Sequence, residues 1–248
     1  MNFSKINYRS FLGRMIRLPL RLIPKNTVMP ILQGRLKGKK WVAGAGEHGY
    51  WLGSYEYHKR RMFEKIVYPG AVIYDIGANA GYFSLLAAEM TGEKGLVYAF
   101  EPLPRNIDFI KRHIRLNKMV NIQVIEAAVS DQIGEAYFDL GASTAMGHLA
   151  KSGELAVTSV TLDGLLDEGK IQPPNIIKLD VEGAEFLALS GAQKLVETYQ
   201  PIIFMDTHQR EAHHTSISFL KDRGYIFTIL DGKTLQNSKE LIATPGEQ

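Results

Sequence analysis

A chain of 248 residues with no cysteine has room for a full core but excludes a disulfide framework, a thiolate metal site and a cysteine nucleophile. Its longest apolar runs are too short to span a bilayer. The net charge of +3 hides an asymmetry: 10 of the 29 basic residues and none of the 26 acidic ones fall within residues 1–40, which leaves residues 41–248 at −7 and points the basic arm at an anionic surface such as a lipid headgroup, a phosphorylated glycan or nucleic acid.

In chain order, Phe3, Ile6, Phe11, Leu12, Met15, Ile16 and Leu18 alternate with basic residues in the pattern of a short amphipathic helix over residues 3–18. Such a helix could lie on a membrane surface, or pack on the domain or on a second copy of the chain, so a homo-oligomer stays open. Arg14 and Arg17 interrupt any secretory apolar segment. The expected location is therefore the cytoplasm, with residues 1–40 available for peripheral contact at the inner membrane surface. Pro19, Pro24 and Pro30 break the helix. Residues 28–36 and 40–43 read as two strands of a hairpin joined by Lys37-Gly38-Lys39. Residues 1–49 are thus an extension and residues 50–248 the main domain. Ser54 can cap a helix through about Val67, which brings Trp51, Tyr55 and Glu56 ahead of the first core strand. Closing over a ligand and ordinary packing are equal readings of these three.

Ala71 to Ile76 follows as an apolar, β-branched strand, Gly77 to Gly81 as a tight turn, and a helix starts at Tyr82. Helix N–H groups aimed at a glycine turn, at the carboxyl end of a parallel strand, make a pocket for a nucleotide-like cofactor. The spacing is Gly-x-x-x-Gly rather than the dinucleotide Gly-x-Gly-x-x-Gly. Asp75 at the strand end would repel a phosphate and attract a cation, which favours S-adenosylmethionine with its ammonium and sulfonium. Residues 96–101 are the second strand. Glu101 ends it, 26 residues after Asp75, placed to accept hydrogen bonds from both ribose hydroxyls. Pro102 and Pro104 open a helix over residues 106–116 that Asn117 ends. Residues 122–125 are the third strand, and the small residues after it would let an adenine lie against backbone, with Ser130 or Asp131 near its amino group. Residues 134–140 and 155–161 read as two more strands flanking a Gly-, Ser- and Ala-rich loop at the substrate mouth. His148 in that loop could bind substrate, though solvation is its default.

Residues 175–180 are the fourth core strand and run into Val181-Glu182-Gly183-Ala184-Glu185, where the next helix begins. The helix dipole accounts for Glu185, whereas Asp180 and Glu182 lie nearer the cleft. Residues 201–206 are the fifth strand, and Asp206 and His208, two apart, face the same side of an extended chain. His213 and His214 read as solvated ahead of a helix over residues 216–223, and residues 225–230 and 241–244 as the last strands. Strands alternating with helices predict a doubly wound α/β sheet.

Val72 to Gly81, Phe100-Glu101-Pro102, Ala128 to Asp131 and Ile176 to Glu185, in that order, resemble the FkbM family of methyltransferases over about residues 50–230. The resemblance implies a Rossmann-like class I methyltransferase fold, a doubly wound seven-stranded sheet with its last strand antiparallel. It also implies S-adenosylmethionine as donor and transfer to a hydroxyl oxygen of a sugar, glycan or polyketide-like product. Carried over, Asp75, Gly77, Asn79 and Gly81 would form the cofactor turn, Glu101 would bind the ribose, and Ser130 and Asp131 would lie near the adenine. The chain departs from the family at Asp206, where Glu is more common. A side chain shorter by about one methylene argues against direct contact of Asp206 with substrate and leaves His208 in place.

An activated methyl donor needs alignment rather than covalent help, and a hydroxyl acceptor needs a group to take its proton. His208 or Glu182 is expected in that role, against the substrate, with Asp180 placing the cofactor's aminoacyl end or the acceptor. A divalent metal on Asp180, Glu182, Asp206 and His208 is a rival that the spacing does not demand. A binding protein without turnover is another; intact Asp75, Gly77, Gly81, Glu101, Asp180 and Glu182 speak against it. Against nucleic-acid methylation stand a charge confined to the arm and the lack of an Asn-Pro-Pro-Tyr type of motif after the fourth strand, so no nucleic-acid partner is expected.

Overall fold

A computed structural model describes residues 19–139, 148–150 and 155–246. The helix expected over residues 3–18 and most of the loop around His148 lie outside the described residues.

After a 3-10 turn at Pro19–Leu22, β1 (Val28–Pro30) pairs antiparallel with β2 (Lys40–Val42), Val28 opposite Val42. The expected hairpin forms, but its first arm stops at Pro30 and residues 31–39 fold into turns. α1 (Gly49–Leu52) ends at Gly53, whose φ is 72°. α2 (Tyr57–Ile66) follows a left-handed Glu56, and no side chain caps it, so Ser54 does not play the expected part. The core then runs through β3 (Val72–Ile76), α3 (Tyr82–Thr91), β4 (Leu96–Phe100), α4 (Pro104–Asn117) and β5 (Ile122–Ile125). A left-handed Lys118 ends α4, while the Asn117 side chain clamps the N–H and C=O of Lys40 at 2.7 and 2.9 Å.

β6 (Ala128–Val129), β7 (Gly134–Asp139), β8 (His148–Ala150) and β9 (Leu155–Val160) form a separate small sheet in the order β6-β9-β7-β8, two short strands more than the sequence pattern suggests. Then come α5 (Leu162–Asp167), β10 (Ile176–Leu179), α6 (Glu185–Ser190), α7 (Gln193–Tyr199), β11 (Ile202–Asp206), α8 (Arg210–Lys221), β12 (Tyr225–Ile229) and β13 (Glu240–Pro245). α8 starts earlier than expected and takes in His213. That residue is buried, not solvated: its Nε2–H donates to Leu235 O at 2.7 Å and its Nδ1 accepts from the Thr207 hydroxyl at 2.8 Å.

The main sheet has the order β12-β13-β11-β10-β3-β4-β5, with β13 antiparallel to both of its neighbours and the other strands parallel. Alternate residues of the central strands feed opposite faces. Ile73, Val97, Ile176 and Phe204 pack with Phe83, Leu86 and the N-terminal Trp41, Trp51 and Phe63. Tyr74, Phe100, Ile177, Leu179 and Met205 pack with Leu162, Leu189, Leu195 and Leu220. Burial on both faces is why these strands read as continuous apolar runs.

Candidate active site

Four neighbouring strands deliver polar groups to one edge of the sheet: Asp75 and the glycine turn at the end of β3, Glu101 after β4, Asp180 and Glu182 after β10, Asp206 and His208 at the end of β11. β3 and β10 lie side by side where the strand order reverses. Open α/β sheets hold ligands in the crevice at that point.

The turn after β3 is built from left-handed residues, Gly77 (φ 77°), Asn79 (φ 51°) and Gly81 (φ 85°). Glycine is required at position 77 for a second reason: a Cβ there would stand 1.9 Å from the carbonyl oxygen of Asp180. The Asn79 N–H donates to Glu101 Oε2 at 2.7 Å, while Glu101 Oε1 accepts from Leu103 N–H and Asn106 Nδ2 at 3.0 and 3.1 Å. Burial pushes the Glu101 carboxyl up to about 7 against these bonds. A carboxylate offers about four lone-pair sites, and three of these are taken within the fold, which leaves one on Oε2. Asp75 is almost wholly buried and is engaged within the fold, accepting from the Ser84 hydroxyl at 2.5 Å and pairing with Lys178 at 3.3 Å. The Ser130 hydroxyl donates to Asp131 Oδ1 at 3.1 Å, at the end of β6, with its backbone close against Gly191.

Two lysines that the sequence pattern does not single out hold this edge together. Lys178, buried within β10, reaches Asp75, Asp180 at 3.5 Å and the Gly77 carbonyl at 3.2 Å. Lys59, buried on α2, pairs with Glu56 at 2.7 Å, with Asp206, and more loosely with Asp180 at 4.0 Å. Burial works against both ammonium groups, but Asp75 and Asp180 around Lys178, and Asp206 and Glu56 around Lys59, hold them well above the usual lysine range. Lys178 leaves a trace in the sequence, a charge inside an apolar strand; Lys59 sits among His58, Arg60 and Arg61 and leaves none.

The chain leaves β10 through a bend, Glu182 at φ 51° and Gly183 at φ 102°, so α6 begins only at Glu185. Around His208, Nδ1 lies 3.0 Å from Glu185 Oε1, while Nε2 faces Asp180 Oδ1 at 3.5 Å and Glu182 Oε2 at 3.6 Å. Glu185 has 0% of its side chain exposed. A carboxylate serving only the helix dipole would stay in water, so the dipole reading of Glu185 is corrected. Burial would lower His208, but the Glu185 bond and the charges of Asp180 and Glu182 raise it to about 8. Burial, then Asp180 and Glu185, push Glu182 up against the pull of His208. Lys178, Lys59 and His208 outweigh burial at Asp180 and keep it low. Among the described residues, Asp180, Glu182 and His208 form the group that could hold a metal ion, one ligand atom from each within 4.8 Å of the others. Asp206 is outside that set, tied to Lys59.

This sheet order, with a glycine turn after the central strand and an acidic residue ending the next, is the doubly wound fold of the class I methyltransferases. The chain belongs to the FkbM methyltransferase family, whose domain matches residues 75–227. It is 25% identical over 134 residues to the hexuronic acid methyltransferase AglP of Haloferax volcanii, covering 53% of this chain and 54% of that protein. It is 39% identical over 57 residues to the ribosomal RNA large subunit methyltransferase E of Chromobacterium violaceum, covering 21% and 27%. The chain thus spans about half the length, or less, of these curated relatives. Among solved structures, the methyltransferase FkbM of Methylobacillus flagellatus shares the fold with a TM-score of 0.51 at 15% identity, over 80% of this chain and 55% of that one.

Proposed function

We propose that the chain transfers the methyl group of S-adenosylmethionine to a hydroxyl oxygen of a sugar or glycan, with His208 taking the hydroxyl proton. The observation that carries this reading is the convergence of His208 Nε2, Asp180 Oδ1 and Glu182 Oε2 beside the glycine turn. The likeness to a hexuronic acid methyltransferase supports a sugar acceptor. The donor fits the residues present: left-handed Gly77, Asn79 and Gly81 shape the turn that would hold it, Glu101 keeps a lone pair for its ribose, Ser130 and Asp131 would lie by the adenine, and the acidic edge suits its positive charge. S-adenosylmethionine supplies a methyl group already activated on a sulfonium. The protein's work is then to align the acceptor and remove its proton. His208 receives that proton at Nε2, and Asp180 and Glu182 stabilise the imidazolium. Asp75 acts through Lys178, which fixes the end of β10 to the turn.

The test is label transfer from methyl-labelled S-adenosylmethionine into extract fractions of glycans, lipids, small metabolites and RNA. Uptake should appear in the glycan fraction and drop at least about 100-fold in H208Q and more mildly in E182Q, with calorimetric affinity for the cofactor retained. Unchanged uptake in both variants contradicts the assignment. The same reading gives residues 1–40 a contact with an anionic membrane surface, supported by their charge; no described helix is long and apolar enough to cross a membrane.

A further inference from the structure

We infer that Glu185 is the positioning residue of this reaction: it fixes His208 as the Nδ1–H tautomer and leaves Nε2 as the proton acceptor. The inference rests on the role given to His208 above. Its physical case starts from burial. A carboxylate with no exposed surface is retained only where hydrogen bonds or charges hold it. A six-residue helix gains the same dipole benefit from an acid left in water. Both contacts of Glu185 fall on one oxygen: Oε1 accepts the Gly183 N–H at 2.9 Å and faces His208 Nδ1 at 3.0 Å, while Oε2 is buried with no hydrogen-bond partner. What Glu185 holds is therefore the bend and the ring.

These two contacts are geometrically linked. The bend at Glu182 and Gly183 carries Glu182 to the Nε2 side of the imidazole and sets Glu185 on the Nδ1 side. An ionised carboxylate oxygen can only accept, so Nδ1 must donate. In the neutral ring the lone pair is then on Nε2, facing Asp180 and Glu182, and the side chain keeps 31% of its surface open to an acceptor. The opposite tautomer would turn a lone pair onto the buried carboxylate.

The experiment is a multiple-bond proton–nitrogen spectrum of histidine-labelled protein at alkaline pH, where His208 is neutral, with the His208 signals assigned by their loss in H208Q. The wild type should show the Nδ1–H tautomer. E185L should shift toward Nε2–H or a mixture, and E185Q, whose amide oxygen can still accept, should retain Nδ1–H. The rate of label transfer into the glycan fraction should fall at least about tenfold in E185Q, because the charge that steadies the imidazolium is gone, and further in E185L, with cofactor affinity unchanged in both. If E185L fails to fold, E185Q decides: an unchanged transfer rate overturns the inference, as does an Nε2–H tautomer in the wild type. The spectrum needs neither donor nor acceptor, so it is independent of the proposed activity; transfer retained by H208Q would instead overturn the base role itself.

Discussion

In the proposed reaction His208 takes the acceptor's proton, and its surroundings set its working pH. Burial alone would strip its proton early, but Glu185 on one nitrogen and Asp180 and Glu182 on the other favour the charged ring and bring it to about 8. A base must start neutral. Transfer into the glycan fraction should therefore fall about tenfold for each pH unit below about 8 and level off above it. A profile flat from mildly acidic to alkaline pH would show that His208 does not gate the reaction. Asp180, Glu182 and His208 were legible as candidates because strand ends and their offsets survive in the sequence. Glu185 and Lys59 were not, since burial decides their roles and a single sequence does not display it, and Lys178 left only the trace of a charge inside an apolar strand. Glu185 in particular looked like any acid at a helix start.

At the scale of elements, α4 joins the N-terminal hairpin to the glycine turn after β3 through His113. Its Nε2 accepts the Val42 N–H at 3.0 Å, its Nδ1–H donates to Ala80 O at 2.9 Å, and its ring stacks on Trp41 with centroids 3.8 Å apart. Only the neutral ring can accept from Val42, and burial lowers the group to about 4. The unfolded chain takes the proton near pH 6.5, the folded chain only near 4. The stability held by this neutral ring is complete above about pH 6.5 and is lost as pH falls toward 4, on the order of 3 kcal/mol. Urea unfolding across that range should show a steeper loss in the wild type than in H113Q; equal slopes would mean that His113 titrates as a solvated histidine. The core strands were readable from their apolar runs. β6 and β8, two and three residues long, carry too few side chains for any periodicity, and the early start of α8 was hidden by the polar look of His213-His214.

For the whole molecule, the doubly wound sheet follows from alternation of strand and helix, whereas its strand order, which sets the glycine turn beside β10, is visible only in the structure. Position in the chain concealed more: Trp41, Trp51 and Phe63, upstream of the first core strand, share one core with Phe83 and Leu86. The charge asymmetry also acts at this scale. Each basic residue near an anionic surface is worth about 1 kcal/mol, so the arm of residues 1–40 should bring the chain down with phosphatidylserine vesicles at low salt and release it at high salt. Equal sedimentation with neutral and anionic vesicles would remove membrane contact from the account.

The central claim is methyl transfer to a sugar hydroxyl, and the product's chemistry tests it most directly. Glycans labelled by the wild type should release O-methyl sugars whose label survives mild alkali, as an ether does, and H208Q, still binding cofactor, should give almost none. An alkali-labile methyl ester, or label in no glycan at all, would contradict it.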